Sequence, residues 1–98
     1  MKNRVVLLLG ATGGIGKAVA LRFSALGAKL CLVARDTEKL KDLSRRVKDC
    51  IVISGDVTDF ETLKKTVEKI MEEYGRIDVL IHAVGSILLK PLHALSIE

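Results

Sequence analysis

The sequence predicts a doubly wound α/β fold, a parallel sheet of four strands with three helices. Three observations predict it. Short apolar runs rich in branched residues alternate with longer segments whose apolar residues recur every three or four positions, so strand and helix follow each other without a break. A cluster of glycines falls at the first strand-to-helix junction. Neither an internal repeat nor a shift in composition marks a second domain within the 98 residues, so residues 1–98 read as part of one domain.

Residues 4–9 form the first apolar run, short and branched enough for a strand buried on both faces, and it ends at Gly10. Beyond the glycines, Ile15, Val19, Phe23 and Leu26 share one face of a helix that Gly27 closes. Residues 30–33 give the second strand. Asp36 and Thr37 then cap a helix striped by Leu40, Leu43 and Val47. Residues 51–53 make the third strand. Thr58 and Glu61 fit a capping box, ahead of a helix carrying Phe60, Leu63, Val67, Ile70 and Tyr74 and closed by Gly75. Residues 77–84 form the fourth strand, and 86–98, with Pro91, read as a connection. Right-handed crossovers through the helices make these strands parallel.

Composition narrows the function. The net charge of +4 comes from scattered Lys and Arg, and three aromatics at core spacing offer no stacking platform, so nucleic acid is not an expected partner. The apolar run after Arg4 lasts five residues, too short for a signal peptide, and no stretch approaches a membrane span. A cytoplasmic protein is expected, with Cys31 and Cys50 as free thiols in strands. No His or Cys cluster has metal-ligand spacing, so no metal is expected.

The glycine turn carries the chemistry. Gly10, Gly14 and Gly16 sit where a strand delivers the chain to a helix start, exposing backbone N–H groups and the positive end of the helix dipole. A diphosphate suits that place: one glycine permits the sharp turn, one leaves room for phosphate, one lets the helix approach closely. A Walker phosphate loop is excluded, because Ala11 and Ala18 occupy its glycine and hydroxyl positions. Val19 breaks the common G-x-G-x-x-G pattern. What stands is G-x-x-x-G-x-G.

With its neighbours, that pattern resembles the short-chain dehydrogenase/reductase family, over the length from the first strand to the last residue. Gly10-Ala-Thr-Gly-Gly-Ile-Gly16 is similar to the family's cofactor turn, which implies roles for Gly10, Thr12, Gly13, Gly14, Ile15 and Gly16. Asp56-Val57 resembles its adenine-contacting pair. His82-Ala-Val-Gly85 stands where the family has Asn-Asn-Ala-Gly; only Gly85 is kept, and His82 reads as a packed core residue. The resemblance implies a Rossmann-like sheet of order 3-2-1-4 and hydride transfer between a nicotinamide cofactor and a carbonyl/alcohol pair. At the end of the second strand, where NAD users carry Asp or Glu, this chain has Ala34 followed by Arg35. Arg35, with the Thr12 hydroxyl, suits a 2′-phosphate, so NADP is expected ahead of NAD. The family's catalytic Ser, Tyr and Lys are not matched: Tyr74 is the one tyrosine, and Asp78 stands four residues after it. The expectation is therefore a cofactor-binding half, inactive alone, with a non-enzymatic nucleotide-binding or interaction module as the alternative.

The same strand order predicts that residues 77–84 lie at a sheet edge, apolar and without Pro or Lys, which favours a homodimer or other self-association through that strand. The alternative is that residues 86–98 fold back and cover it.

Overall fold

The computed structural model describes residues 2–83 and 89–91. In chain order it contains β1 (Val5–Leu9), α1 (Gly14–Ala25), β2 (Lys29–Ala34), α2 (Thr37–Ser44), β3 (Cys50–Ser54), α3 (Phe60–Glu73), β4 (Val79–His82) and β5 (Leu89–Pro91). The four parallel strands lie in the order β3-β2-β1-β4, as expected. β1 is central and buried along its whole length, which explains why it is a continuous apolar run rather than an alternating one.

β5 corrects the sequence reading. It pairs antiparallel with β4, Val79 opposite Pro91 and Ile81 opposite Leu89, so the sheet has five strands in the order β3-β2-β1-β4-β5. The flank of β4 expected to be a free edge is taken by the chain itself, and the case for dimer formation through that edge falls with it. Residues 89–91 follow the fold-back alternative.

Alternation along the strands divides the core in two. On one face Val6, Leu8, Leu30, Leu32 and Ile81 pack with Ala20, Leu40, Leu43 and Val47, beneath α1 and α2. On the other Val5, Leu7, Leu9, Cys31 and Val33 pack with Ile70, beneath α3. The Leu40, Leu43 and Val47 stripe is buried as expected. The stripe of α1 is rotated, and that of α3 holds in part. α1 turns Gly16, Ala20 and Ser24 to the sheet, with Val19 and Phe23 half-buried at its flank and Ile15 and Leu26 exposed. α3 buries Ile70, with Leu63 and Tyr74 half-buried against it, as expected, and adds Thr62 and Thr66, while Val67 is exposed and Phe60 is 72% exposed. Small side chains let a helix lie close to the sheet, and that closeness outweighs burial of the larger residues one position away.

Cys31 aligns with Ile51, and Cys50 with Leu30. Register partners share a face, so the two thiols point to opposite sides of the sheet and both are free.

Candidate functional site

The carboxyl ends of β1, β2, β3 and β4 meet the loops into α1, α2 and α3 along one side of the sheet. A cleft of about 480 Å³ opens there. Gly10, Thr12 and His82 line one side of it, and Ala34, Arg35 and Asp36 line another. Gly55, Val57 and Thr58 complete the wall. This is the crevice position at which open parallel sheets bind ligands.

The glycine turn is built as its spacing predicts. Gly10 adopts φ 81°, a left-handed conformation open to glycine, and its N–H and that of Ala11 donate to the Val33 carbonyl at 2.9 and 3.1 Å, tying the turn to β2. A Cβ on Gly16 would overlap the Gly10 carbonyl oxygen and crowd Ala11, so Gly16 is the glycine of close helix approach. By contrast, a Cβ on Gly14 would meet nothing within 4 Å. The space there is open to a ligand. Gly13 supplies no side-chain cap to α1, and the first helical N–H to donate to a carbonyl is that of Lys17, to Gly13 at 2.8 Å. Among the described residues the N–H groups of Gly14, Ile15 and Gly16 have no carbonyl partner. These features fit a diphosphate, which accepts such donors and is drawn to the helix dipole.

Across the cleft, the Arg35 guanidinium lies 3.3 Å from Asp56, with side-chain exposures of 75% and 43%. Asp56 also accepts the N–H and hydroxyl of Thr58, at 2.9 and 2.7 Å. Those bonds first, and Arg35 beyond them, outweigh the opposing effect of desolvation and hold the carboxyl below its ordinary range, an ionised acceptor at neutral pH. Thr58 is thus committed to Asp56, and the capping box is not formed: Asp59 is the N-cap residue of α3. The Asp36 cap is formed, accepting Lys39 N–H at 3.1 Å. Thr37 and Ser54 hydroxyls, 2.8 Å apart, and Ser54 to the Arg35 carbonyl at 3.3 Å anchor the loop after β2 to the end of β3.

Of the expected site residues, Gly10, Thr12, Arg35 and Val57 line the cleft, and Asp56 stands at its rim against Arg35. Gly13, Gly14, Ile15 and Gly16 form the start of α1, with Ile15 exposed and Gly16 buried against the turn. Gly85 lies outside the described residues. His82 departs from expectation: it is half-buried and lines the cleft rather than the core. Its place at the carboxyl end of a strand beside β1 was the available signal, obscured by the apolar residues around it. Among the described residues no group of His, Cys, Asp and Glu is arranged to hold a metal ion, and no helix is long and apolar enough to cross a membrane.

Comparison with known proteins agrees with this geometry. An uncharacterized oxidoreductase of Listeria monocytogenes is 41% identical over 97% of this chain, which spans 40% of that relative's length. An 11-beta-hydroxysteroid dehydrogenase-like protein of Arabidopsis thaliana is 40% identical over 85% of the chain and 29% of its own length. Among solved structures, a short chain dehydrogenase from Bacillus anthracis superposes with a TM-score of 0.80, at 31% identity over 98% of this chain and 40% of its own. The L-sorbose reductase of Gluconobacter frateurii, solved with NADPH and L-sorbose, gives 0.82, at 28% identity over 88% of this chain and 35% of its own. The chain thus covers about two-fifths or less of these proteins. The family model for short chain dehydrogenases matches residues 4–98, nearly the whole of what is present, and the chain belongs to that oxidoreductase family.

Proposed function

We propose that this chain is the nucleotide-binding part of an NADP-dependent oxidoreductase acting on a carbonyl/alcohol pair, and that alone it binds dinucleotide without turnover. The observation that carries the reading is the turn from Gly10 to Gly16, with unpartnered N–H groups and open space at Gly14, facing a cleft walled by Ala34 and Arg35. The diphosphate would lie on the N–H groups of residues 14–16, the adenine amino group on the Asp56 carboxylate, and the 2′-phosphate beside Arg35 and Thr12. Ala34 supports NADP over NAD, because a carboxylate at that position would repel the phosphate. The bound nicotinamide supplies hydride chemistry.

The absence of turnover rests on Tyr74. Its hydroxyl donates to Asp49 at 2.7 Å, at the amino ends of the strands, remote from the cleft. Burial first, and the Asp49 carboxylate next, push its pKa upward, so it is a poor proton exchanger as well as a distant one. We propose a cytoplasmic location on its two free thiols.

Calorimetric titration of the chain with NADPH and NADH tests the cofactor reading. Arg35→Asp should weaken NADPH binding by about 1.5 kcal/mol, roughly tenfold, the low end for a charge-assisted pair because Arg35 is exposed. Equal affinities for both cofactors would refute the NADP assignment. Enzyme-dependent NADPH oxidation with a panel of aldehydes and ketones would refute inactivity.

A further inference from the structure

The flank of β4 is covered by β5, but the sheet has a second outer strand. Among the described residues β3 pairs only with β2, and its far flank carries no strand. Successive residues of a strand turn their backbone groups to opposite flanks. The Leu30 N–H donates to the Asp49 carbonyl at 3.0 Å and the Gly55 N–H to the Ala34 carbonyl at 2.9 Å, so residues 49, 51, 53 and 55 face β2. The N–H and carbonyl groups of Cys50, Val52 and Ser54 therefore point away from the sheet. Val52 is 42% exposed, and Ile51 and Ile53 are only half-buried. The strand Cys50–Ser54 contains neither proline nor charge, the devices that keep outer strands from pairing with other chains.

We infer that this edge is the interface of a homodimer, in which a second copy of the chain lies antiparallel along β3 about a two-fold axis at Val52. Self-complementarity selects a second copy as the occupant. With the axis at Val52 the strand pairs over its whole length: Val52 faces the partner's Val52, Cys50 faces the partner's Ser54, and Ile51 faces the partner's Ile53. The outward groups of residues 50, 52 and 54 then meet their equivalents and close about six inter-strand hydrogen bonds, while every bond to β2 is kept. Val52 packs on its equivalent on the α2 side of the sheet, and the isoleucines pair on the α3 side, so apolar surface left open by the single chain is covered. The same register sets Lys48 opposite the partner's Asp56, twice by symmetry. Lys48 is exposed and forms no ion pair with any described residue. An unrelated strand would satisfy the backbone groups and leave these charges unmatched. Asp56 also stands at the rim of the cleft against Arg35, so the partner's Lys48 joins that rim and competes with Arg35 for the carboxylate. One strand from each copy is a small contact, which gives a concentration-dependent equilibrium in place of a permanent dimer.

The experiment is sedimentation velocity on the whole chain without nucleotide, over a roughly hundredfold concentration series, in which the wild type should pass from monomer to dimer. Val52→Lys should weaken the dimer by about tenfold or more, and Lys48→Glu, which sets like charges opposite Asp56, by about fivefold. Both residues are exposed in the single chain, and circular dichroism should show the wild-type fold. The register is read by Val52→Cys in a Cys50→Ser background. Across the axis its Cα atoms would lie about 5.5 Å apart, within disulfide range, so mild oxidation with diamide should link two chains, and Cys50→Ser alone should not be linked. A monomer at every concentration would overturn the proposal. A dimer that persists in Val52→Lys would place the contact elsewhere, for example on the exposed Phe60, Val67 and Met71 of α3, and would overturn it as well. Dissociation by Val52→Lys without cross-linking of Val52→Cys would reject the two-fold axis at Val52.

Discussion

At the amino end of the sheet Asp78 accepts the Val5 N–H at 2.8 Å and the Arg76 guanidinium at 2.6 and 3.1 Å, with Arg4 3.5 Å away. At the carboxyl end Asp56 accepts both donors of Thr58 and one contact from Arg35. Asp78 is 15% exposed and Asp56 is 43% exposed. Both carboxylates lie below their ordinary range. For Asp78, desolvation pushes the other way and is outweighed by the Arg76 and Val5 hydrogen bonds together with the charges of Arg76 and Arg4. The same pairing of aspartate with arginine thus does two jobs. Asp78 joins two strands and is shielded from solvent, whereas Asp56 fixes only its own loop and keeps a face toward the cleft. What separates them is a backbone N–H from a distant strand.

The largest break in this contrast is expected from Gly16→Val, which drives a side chain into the Gly10 carbonyl and separates α1 from the turn. Overpacking of this kind should cost about 3 kcal/mol and abolish nucleotide binding, as read by urea unfolding and calorimetry. Asp78→Ala should follow, at about 2 kcal/mol, because the Val5 N–H loses its partner between two strands. Asp56→Asn should leave the unfolding midpoint close to wild type while weakening nucleotide binding. An Asp56 variant as destabilised as the Asp78 variant would erase the distinction between the two ends.

Acid sharpens the same comparison. A carboxylate with a depressed folded pKa stabilises fully above its unfolded value, near pH 4 for Asp, and that contribution is lost as pH falls through the folded value. The stability gap between wild type and Asp78→Asn should therefore be constant above the ordinary Asp range and narrow as pH falls below about 4. Denaturant titration at each pH measures it.

Smaller effects are expected around Tyr74. Tyr74→Phe removes its bond to Asp49 and should cost about 1 kcal/mol or less, since the hydroxyl is near solvent. The Lys29 ammonium, 5.4 Å from the ring centroid, keeps its ring partner in that variant. The mildest probe is thiol labelling. Burial first, and Cys50 next, push Cys31 up to about 12, so in the native protein a thiol reagent should modify Cys50 and reach Cys31 only on unfolding. Equal labelling rates would show that the α3 face of the sheet opens far more readily than its packing indicates.

Much of this was legible in the sequence for identifiable reasons. Unbroken apolar runs marked the parallel strands, and Leu40, Leu43 and Val47 marked the buried face of α2, because in both places large apolar residues do the packing. In α3 the expected Ile70, Leu63 and Tyr74 do pack on the sheet, but the rest of its contact face, Thr62 and Thr66, and that of α1, Gly16, Ala20 and Ser24, consist of residues whose small size rather than hydrophobicity fits them there. In the cleft, residues defined by backbone chemistry were readable, Gly10 and Gly16 above all. Thr58 bonds to Asp56 instead of closing a capping box, because the same spacing serves a helix cap and a turn around Asp56. β5 was missed because Pro91 within so short a segment reads as a connection, although proline is compatible with an outer strand.

The central position of β1 also bears on how the chain reaches this structure. Val5 and Asp78 are 73 residues apart, and β1 leaves the ribosome before β2, β3 and β4 yet has β4 as one neighbour. Until residues 79–82 emerge, the segment Val5–Leu9 has β2 alone beside it and its other flank unpaired. Such long-range pairing is slow to form. This wholly apolar stretch therefore stays open on one flank until its last partner arrives, a period in which it is exposed to pairing with other chains.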